Sequence, residues 1–287
     1  MTLKSTCRSY LVAFTAAIAM ALPVHAFGIG LQPTTVEMDA EPGTRQRQVI
    51  NIANVHQDQT ISLTLGLADW SLDRNGQIDL QPPGERTDSA AEWVRFSPSF
   101  VTLKPGESRQ IIVDILTPEN HEKSGDHRFA LLASAILPET RGGASGVWRK
   151  HQIASLFYMT TNPATSDPAV RDARLSIGAN GTQEIDLLVE NSGNAHARLE
   201  GTVTISGDQG KDVSIPISNL VVLNGASREF TAQIPDDLPS NPQVTVDFEN
   251  VFAPQSPSKS ARVKTYSAPL FVRDAALDAS DATTTDY

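Results

Sequence analysis

Short runs of alternating apolar and polar residues make up most of the chain beyond its first part. Over residues 61–67, apolar side chains occupy every second position, and serine, threonine or glycine fills the positions between them. The same period of two recurs around Val113, Leu187 and Val246. Side chains alternate between the two faces of a strand, so this period predicts β-strands with one buried face. No long stretch has a helical period, and the sequence therefore predicts an all-β chain.

The alternating pattern also repeats along the chain. LKPGESRQIIVDI, which begins at Leu103, resembles VLNGASREFTAQI, which begins at Val222. In addition, Asn54 and Asn191 each end an apolar run just before a polar hairpin. Two copies of one β-sandwich would produce such a repeat. The predicted fold is two immunoglobulin-like β-sandwich domains joined by a short linker.

The N-terminus has the three parts of a secretory signal peptide. Two basic residues precede an apolar segment at residues 10–23, and a small-x-small cleavage site ends at Ala26. The one cysteine of the chain, Cys7, lies within the predicted signal peptide, before its apolar segment. The exported chain is therefore predicted to have no disulfide, no thiolate nucleophile and no cysteine metal ligand.

Composition shifts along the chain suggest where the domains end. Residues 162–172 contain two prolines and no alternating pattern, and the last residues are small, polar and acidic. We predict a signal peptide at residues 1–26, a first sandwich at 27–161, a linker at 162–172, a second sandwich at 173–272 and a disordered acidic tail at 273–287.

The charge of the chain argues against some classes of partner. The formal net charge is −10, and removal of the signal peptide would remove two basic residues and lower it to −12. An acidic chain binds nucleic acid and anionic membranes poorly, because both need clustered lysine and arginine. No second apolar run approaches the roughly 18 residues of a membrane span. We expect neither a nucleic-acid partner nor a membrane span in the exported protein.

Motifs for catalysis and for metal or cofactor binding are lacking in the sequence. His121 and His127 are six residues apart, a spacing that fits neither a helical nor a tight hairpin metal pair. An enzyme would need groups that converge from distant positions, such as Asp88, His121 and Glu122. We predict no catalytic residue, no metal site and no cofactor.

Several segments of the first half occur in the order of a known family. They are PTTVEM from Pro33, QVINIANVHQDQTISLTLGLADW from Gln48, WVRFSPSFVTLKPGES from Trp93 and SLFYMTTNPA from Ser155. Over residues 30–165 the chain thereby resembles the periplasmic pilus chaperones of the chaperone–usher pathway. In that family the last strand of the first domain is lent to an incomplete pilus subunit, which is a form of β-augmentation.

The resemblance implies candidate site residues. The strand at residues 147–161 would be the donor, and its predicted partner-binding residues are Val147, Trp148, Arg149, Lys150 and Ile153. The family also has a basic pair in the interdomain cleft, which holds the carboxylate at the subunit's C-terminus. The aligned positions here are Thr35 and Ser155, and neither can carry a positive charge. Arg149 and Lys150 could replace this pair from a shifted position, or they could be solvated strand charges.

Two functions remain open from the sequence. The first is a periplasmic chaperone-like protein that binds subunits of a pilus or another extracellular assembly, with an outer-membrane usher as a further partner. The second is a secreted or cell-surface binding module, such as an adhesion accessory protein, that donates no strand. An exposed strand of alternating apolar residues next to a basic cleft is required by the first function and not by the second.

Overall fold

The computed structural model describes residues 28–120, 123–141, 148–177, 181–235, 237–252, 261–262, 266–267 and 270–272. Across these residues the chain forms β-strands, and its one helical element is a short 3₁₀ turn at Ala91–Trp93. The strands assemble into two pairs of sheets that follow one another along the chain. The predicted all-β class with two sandwiches is confirmed.

Among the described residues, the first sandwich contains ten strands in two sheets. They are β1 (Ile29–Gln32), β2 (Thr35–Asp39), β3 (Arg45–Asn54), β4 (Ile61–Leu72), β5 (Ile78–Gln81), β6 (Val94–Ser97), β7 (Phe100–Leu103), β8 (Ser108–Leu116), β9 (Gly125–Arg141) and β10 (Trp148–Thr161). One sheet has the order β1-β3-β8-β6, and the other has the order β2-β10-β9-β4-β5 with β7 also paired to β4.

Alternating side chains fill the core between these sheets. Ile61, Leu63 and Leu65 of β4 are at most 4% exposed, whereas Ser62 and Thr64 point to solvent. The stacked rings of two buried phenylalanines, one on β9 and one on β10, lie in the same core. The period of two in the sequence therefore identified the buried face correctly.

In the part of the chain that the structure describes, the second sandwich contains nine strands in two sheets. They are β11 (Pro168–Ile177), β12 (Gln183–Asn191), β13 (Ala197–Ser206), β14 (Val213–Val222), β15 (Ser227–Gln233), β16 (Gln243–Asn250), β17 (Ala261–Arg262), β18 (Tyr266–Ser267) and β19 (Leu270–Val272). One sheet has the order β15-β12-β11-β19; the other has the order β14-β13-β16-β17, with β18 also paired to β16. Its core is a separate apolar cluster.

The connection between the sandwiches is shorter than the predicted linker. Strand β11 begins at Pro168, so residues 168–172 pair with β12 and only residues 162–167 connect β10 to β11. A β-bulge between Val170 and Asp172 breaks the alternation of β11, which hid the strand from a search for period two. Proline is tolerated as the first residue of a strand. The predicted signal peptide and acidic tail lie outside the described residues.

The sequence repeat corresponds to an equivalent buried asparagine in each sandwich. Asn54 and Asn191 are both 0% exposed. The side-chain amide of Asn54 donates to the carbonyl of Leu103 at 3.0 Å, and that of Asn191 donates to the carbonyl of Val222 at 3.2 Å. Each asparagine thus joins the end of one strand to the turn before another in its own sandwich.

In the described part of the chain, no helix has the length and apolar character that a membrane span requires.

Candidate functional site

One side of strand β10 is paired with another strand along only half of its length in the described structure. Throughout its length it pairs with β9 in antiparallel register. On its other side, β2 pairs with it in parallel register, but only from Leu156 to Thr160. No strand among the described residues pairs with that side of residues 150–155. We call this side of residues 150–155 the β10 edge.

Backbone groups on the β10 edge point away from β9 at alternate residues. The N–H of Leu156 donates to the carbonyl of Thr34 at 2.9 Å, on the β2 side of the strand. Backbone groups alternate in direction along a strand, so the N–H and C=O groups of Lys150, Gln152 and Ala154 point the same way. The register between β10 and β9 is unbroken over these residues. The β10 edge therefore presents three residues as a template for an added strand.

A concave depression borders the β10 edge on the outer face of the same sheet. Its volume is about 590 Å³, and its floor includes Gly66, Leu132, Ser134 and Gln152. Several side chains on this face are small, so the surface of the sheet is recessed here. An added Cβ at Gly66 would meet no atom within 4 Å. A chain bound at the edge could therefore place side chains over this face.

The predicted partner-binding residues fall in three different settings. Val147 lies outside the described residues, and Trp148 and Arg149 are the first two residues of β10. Lys150 is exposed and lines the depression. Ile153 is partly buried and packs against the core of the first sandwich. Their roles in binding a partner stay predictions.

The two positions that align with the family's basic pair lie close to the end of the β10 edge. Thr35 is exposed and faces Leu156 across the β2–β10 pair. Ser155 is fully buried, and its Oγ donates to the carbonyl of Pro33 at 2.7 Å. Ser155 therefore fastens β10 to the segment before β2, and its side chain is not available to a ligand.

Apolar side chains from both sandwiches form the floor of the cleft between them. Trp70, Ala130 and Tyr158 from the first sandwich pack with Leu223 from the second. The rings of Trp70 and Tyr158 meet edge to face with centroids 4.9 Å apart. Burial raises the pKa of Tyr158 far above its ordinary value, so its hydroxyl stays neutral. We call this group the interdomain cluster.

Polar contacts surround the interdomain cluster. The guanidinium of Arg128 is 2% exposed, lies 5.6 Å from the Trp70 ring centroid, and donates to Asp88 and to Asn224 of the second sandwich. Burial lowers the pKa of Arg128, while Asp88 and Asp126 oppose that change. Arginine nevertheless stays protonated in proteins, so this is a buried charge with a charged partner.

Two further contacts connect the sandwiches at their edges. The backbone N–H of Glu229 in β15 donates to the carbonyl of Arg74, in the turn after β4, at 2.7 Å. At the other edge, Arg198 of β13 donates to Glu37 of β2. The second sandwich therefore contacts β2 and β9, which flank the C-terminal half of β10, and none of its described strands pairs with the β10 edge.

The residues considered for catalysis do not form a site in the described structure. Asp88 is engaged by Arg128 and Arg86. His121 and Glu122 lie outside the described residues. Among the residues described, no group of three or more metal-ligating side chains is placed to hold a metal ion.

The sequence alone did not identify the residues between the sandwiches. Arg128, Asp126 and His196 pair with residues far away in the chain, so no local spacing signals them. One weak signal exists: His196 lies between two alanines at the start of an apolar strand, and a polar residue in that setting is often buried with a partner.

Comparison with known proteins gives matches among solved structures only. Neither a protein-family model nor a curated protein matches the sequence. The YadV chaperone has a TM-score of 0.44 and 11% identity, with 82% of this chain and 100% of that chain covered. The E. coli chaperone DraB has a TM-score of 0.40 and 13% identity, with 84% and 96% covered. A chain of the Salmonella enterica SafA pilin in complex with the SafB chaperone has a TM-score of 0.41 and 16% identity, with 83% and 97% covered.

Proposed function

We propose that this chain is a periplasmic chaperone-like protein that binds a subunit of an extracellular fibre by strand addition at the β10 edge. The observation that supports this most directly is that one side of β10 is paired along only half of its length in the described structure. Its C-terminal half is already paired with β2, whereas its N-terminal half has no strand there among the described residues. The resemblance of residues 30–165 to pilus chaperones supports the identity of the partner.

Strand addition suits this edge for physical reasons. Unpaired N–H and C=O groups can bond to an incoming backbone with little dependence on its sequence. Each such hydrogen bond contributes roughly 0.5–1.5 kcal/mol net, so the three outward-facing residues can supply several kilocalories together. The depression beside the edge receives alternate side chains of the added strand, and these side chains determine which subunit binds.

The missing basic pair distinguishes this binding mode from that of the family. Thr35 and Ser155 provide no positive charge at the end of the β10 edge. Arg128 and Arg198, the arginines that face the cleft in the described structure, are paired with acidic groups. The proposal therefore rests on backbone pairing and on the outer sheet face.

The test is a substitution that removes one outward N–H of the β10 edge. Gln152→Pro removes this donor and leaves the bonds to β9, because the N–H of Gln152 does not face β9. Gln152→Ala is the matched control, since it changes the side chain but keeps the N–H. Tagged versions of both variants and of the wild type are expressed in the exporting cell, and the proteins that copurify are identified by mass.

We expect the wild type and Gln152→Ala to capture the same small fibre-forming subunit. Gln152→Pro should capture about tenfold less, because a lost hydrogen bond and an obstructing ring cost about 1.4 kcal/mol. Its melting temperature should stay near that of the wild type. Equal capture by both variants, or equal loss in both, would contradict backbone pairing and favour a binding module that acts through side chains.

A further inference from the structure

A histidine of the second sandwich is buried between two acidic residues of the first. His196 lies just before β13, and its side chain is 0% exposed. Its ring Nδ1 lies 2.6 Å from Oδ2 of Asp126 on β9. Its Nε2 lies 3.7 Å from Oε1 of Glu37 on β2, which is too long for a direct hydrogen bond but close for two charges. The imidazole thus bridges the two domains.

The backbone and the ring faces of His196 are also fixed. Its N–H donates to Oδ2 of Asp126 at 2.6 Å, and its carbonyl accepts from Oγ of Ser166 at 2.6 Å. The ring packs against Tyr158 of the first sandwich and Phe252 of the second, with centroids 4.2 and 3.6 Å away. The side chain therefore has little freedom to turn away from the two acids.

The charged and titratable groups around the imidazole favour its protonated form. Asp126 faces it from β9 and Glu37 from β2, while Tyr158 on β10 stays neutral. On the same side of the interface as His196, Arg198 of β13 forms an ion pair with Glu37. Carboxylates only accept hydrogen bonds, so Nδ1 carries a hydrogen toward Asp126. With a neutral ring, Glu37 would keep its ion pair with Arg198, whereas the ion pair between Asp126 and His196 would be lost.

We propose that protonated His196 is a pH-dependent latch that holds the two sandwiches in one relative orientation. When the imidazole loses its proton, its attraction to Asp126 and Glu37 falls and the orientation loosens. This latch is independent of the partner at the β10 edge. It would nevertheless control the cleft beside that edge, because β2 and β9 both flank β10.

The pH range of the latch follows from the two titrating groups. Burial alone would lower the pKa of His196, but the hydrogen bond to Asp126 and the nearby Glu37 raise it above its ordinary value of 6.5. Its stabilising effect is complete below pH 6.5 and is lost as the pH rises through the raised pKa. Contact with His196, and to a smaller degree with Arg198, lowers the pKa of Glu37 below 4.5, although burial opposes this change. The stabilising effect of the ionised Glu37 carboxylate is therefore lost only as the pH falls through that lowered pKa. The interface should be strongest between pH 4.5 and 6.5.

The test measures the distance between the sandwiches directly. Spin labels are attached at Thr102→Cys in the first sandwich and Lys211→Cys in the second, both exposed positions, with Cys7→Ser in the background. Distance distributions are recorded at about pH 5.5 and about pH 9, on either side of histidine titration. His196→Gln removes the titrating group, and His56→Gln is the control, because His56 lies in the hairpin between β3 and β4 of the first sandwich.

The wild type and His56→Gln should give a narrow distribution at the lower pH and a broader or displaced one at the higher pH. His196→Gln should give the same broad distribution at both. A wild-type distribution that does not change with pH would overturn the proposal, and so would a pH response that persists in His196→Gln.

A second measurement applies if His196→Gln does not fold. The ring protons of His196 are titrated by NMR in the wild type and in Glu37→Gln. The side chain of Glu37 is 30% exposed. The midpoint for His196 should lie above its ordinary value of 6.5 in the wild type, and it should move to lower pH in Glu37→Gln. A midpoint at or below 6.5 in the wild type would overturn the latch.

Discussion

Two buried asparagines, one in each sandwich, fix the geometry of a hairpin and a turn through hydrogen bonds of their side chains. Besides its bond to Leu103, the amide of Asn54 donates to the carbonyl of Gln59 at 2.7 Å, and its Oδ1 accepts from the N–H of His56 at 3.0 Å. Asn191 makes the corresponding contacts with its own hairpin and turn. A buried amide with all these partners stabilises one hairpin geometry, because any other arrangement leaves polar groups unpaired.

Removal of one of these amides should be costly. Asn54→Ala leaves two carbonyls and one N–H without their partner, so we expect the free energy of unfolding to fall by about 2–3 kcal/mol. Asn51→Ala, three residues earlier on the same strand and exposed, should change it by less than about 0.5 kcal/mol. Urea unfolding of both variants measures the difference. Similar losses in the two variants would show that the buried bonds add nothing specific.

Strand β10 is the element on which both sandwiches and the proposed function depend. Phe157 and Met159 point into the first core, Tyr158 points into the interdomain cluster, and the N-terminal half carries the open edge. The sequence placed this strand at residues 147–161, and the structure has it at Trp148–Thr161. The strand could be predicted because its apolar run is long. Its free edge could not, because the extent of pairing depends on where β2 begins, and β2 begins at Thr35 opposite Leu156.

The open edge makes a prediction that needs no partner. In the free protein, the amides of Gln152 and Ala154 should exchange with solvent on the order of a hundredfold faster than those of Ile153 and Ser155, which face β9. Leu156 is an internal control, because its N–H faces the same side and is bonded to Thr34. Hydrogen exchange followed by NMR resolves these residues. Uniformly slow exchange would mean that another part of the chain covers the edge.

At the scale of elements, pattern alone predicted most strands but misjudged one boundary. Alternation in β8, β12 and β16 is regular, and their inward residues are buried as expected. In β11 the bulge after Val170 shifts the alternation by one residue, so the strand resembled a linker. The bulge and the two prolines of residues 162–172 together made the start of this strand look like a connection.

At the scale of the whole molecule, the docking of the two sandwiches is the feature that the sequence could not reveal. Asp126 and His196 are 70 positions apart, and Glu37 and Arg198 are 161 apart. Each residue alone resembles an ordinary strand charge or turn histidine. Only the relative placement of the domains brings them together, as a buried pair of His196 with Asp126 and a partly exposed pair of Arg198 with Glu37.

A close backbone contact gives the sharpest test of this docking. At Gly125, the first residue of β9, φ is +103°, and an added Cβ would lie 2.2 Å from the backbone oxygen of Asn194 in the second sandwich. The neighbouring N–H of Asp126 donates to that same oxygen at 2.9 Å. Gly125→Ala therefore cannot be accommodated by turning a side chain; the two backbones must separate.

Gly106→Ala is the matched control, because Gly106 also has a positive φ, +72°, and an added Cβ there meets nothing within 4 Å. The control should lose about 1–2 kcal/mol from backbone strain alone. Gly125→Ala should lose roughly a further 1–3 kcal/mol from the forced separation. It should also broaden the distance between labels on the two sandwiches, which the control should not do. Equal stability of the two variants, with unchanged distances, would mean that the contact at Asn194 does not hold the domains together.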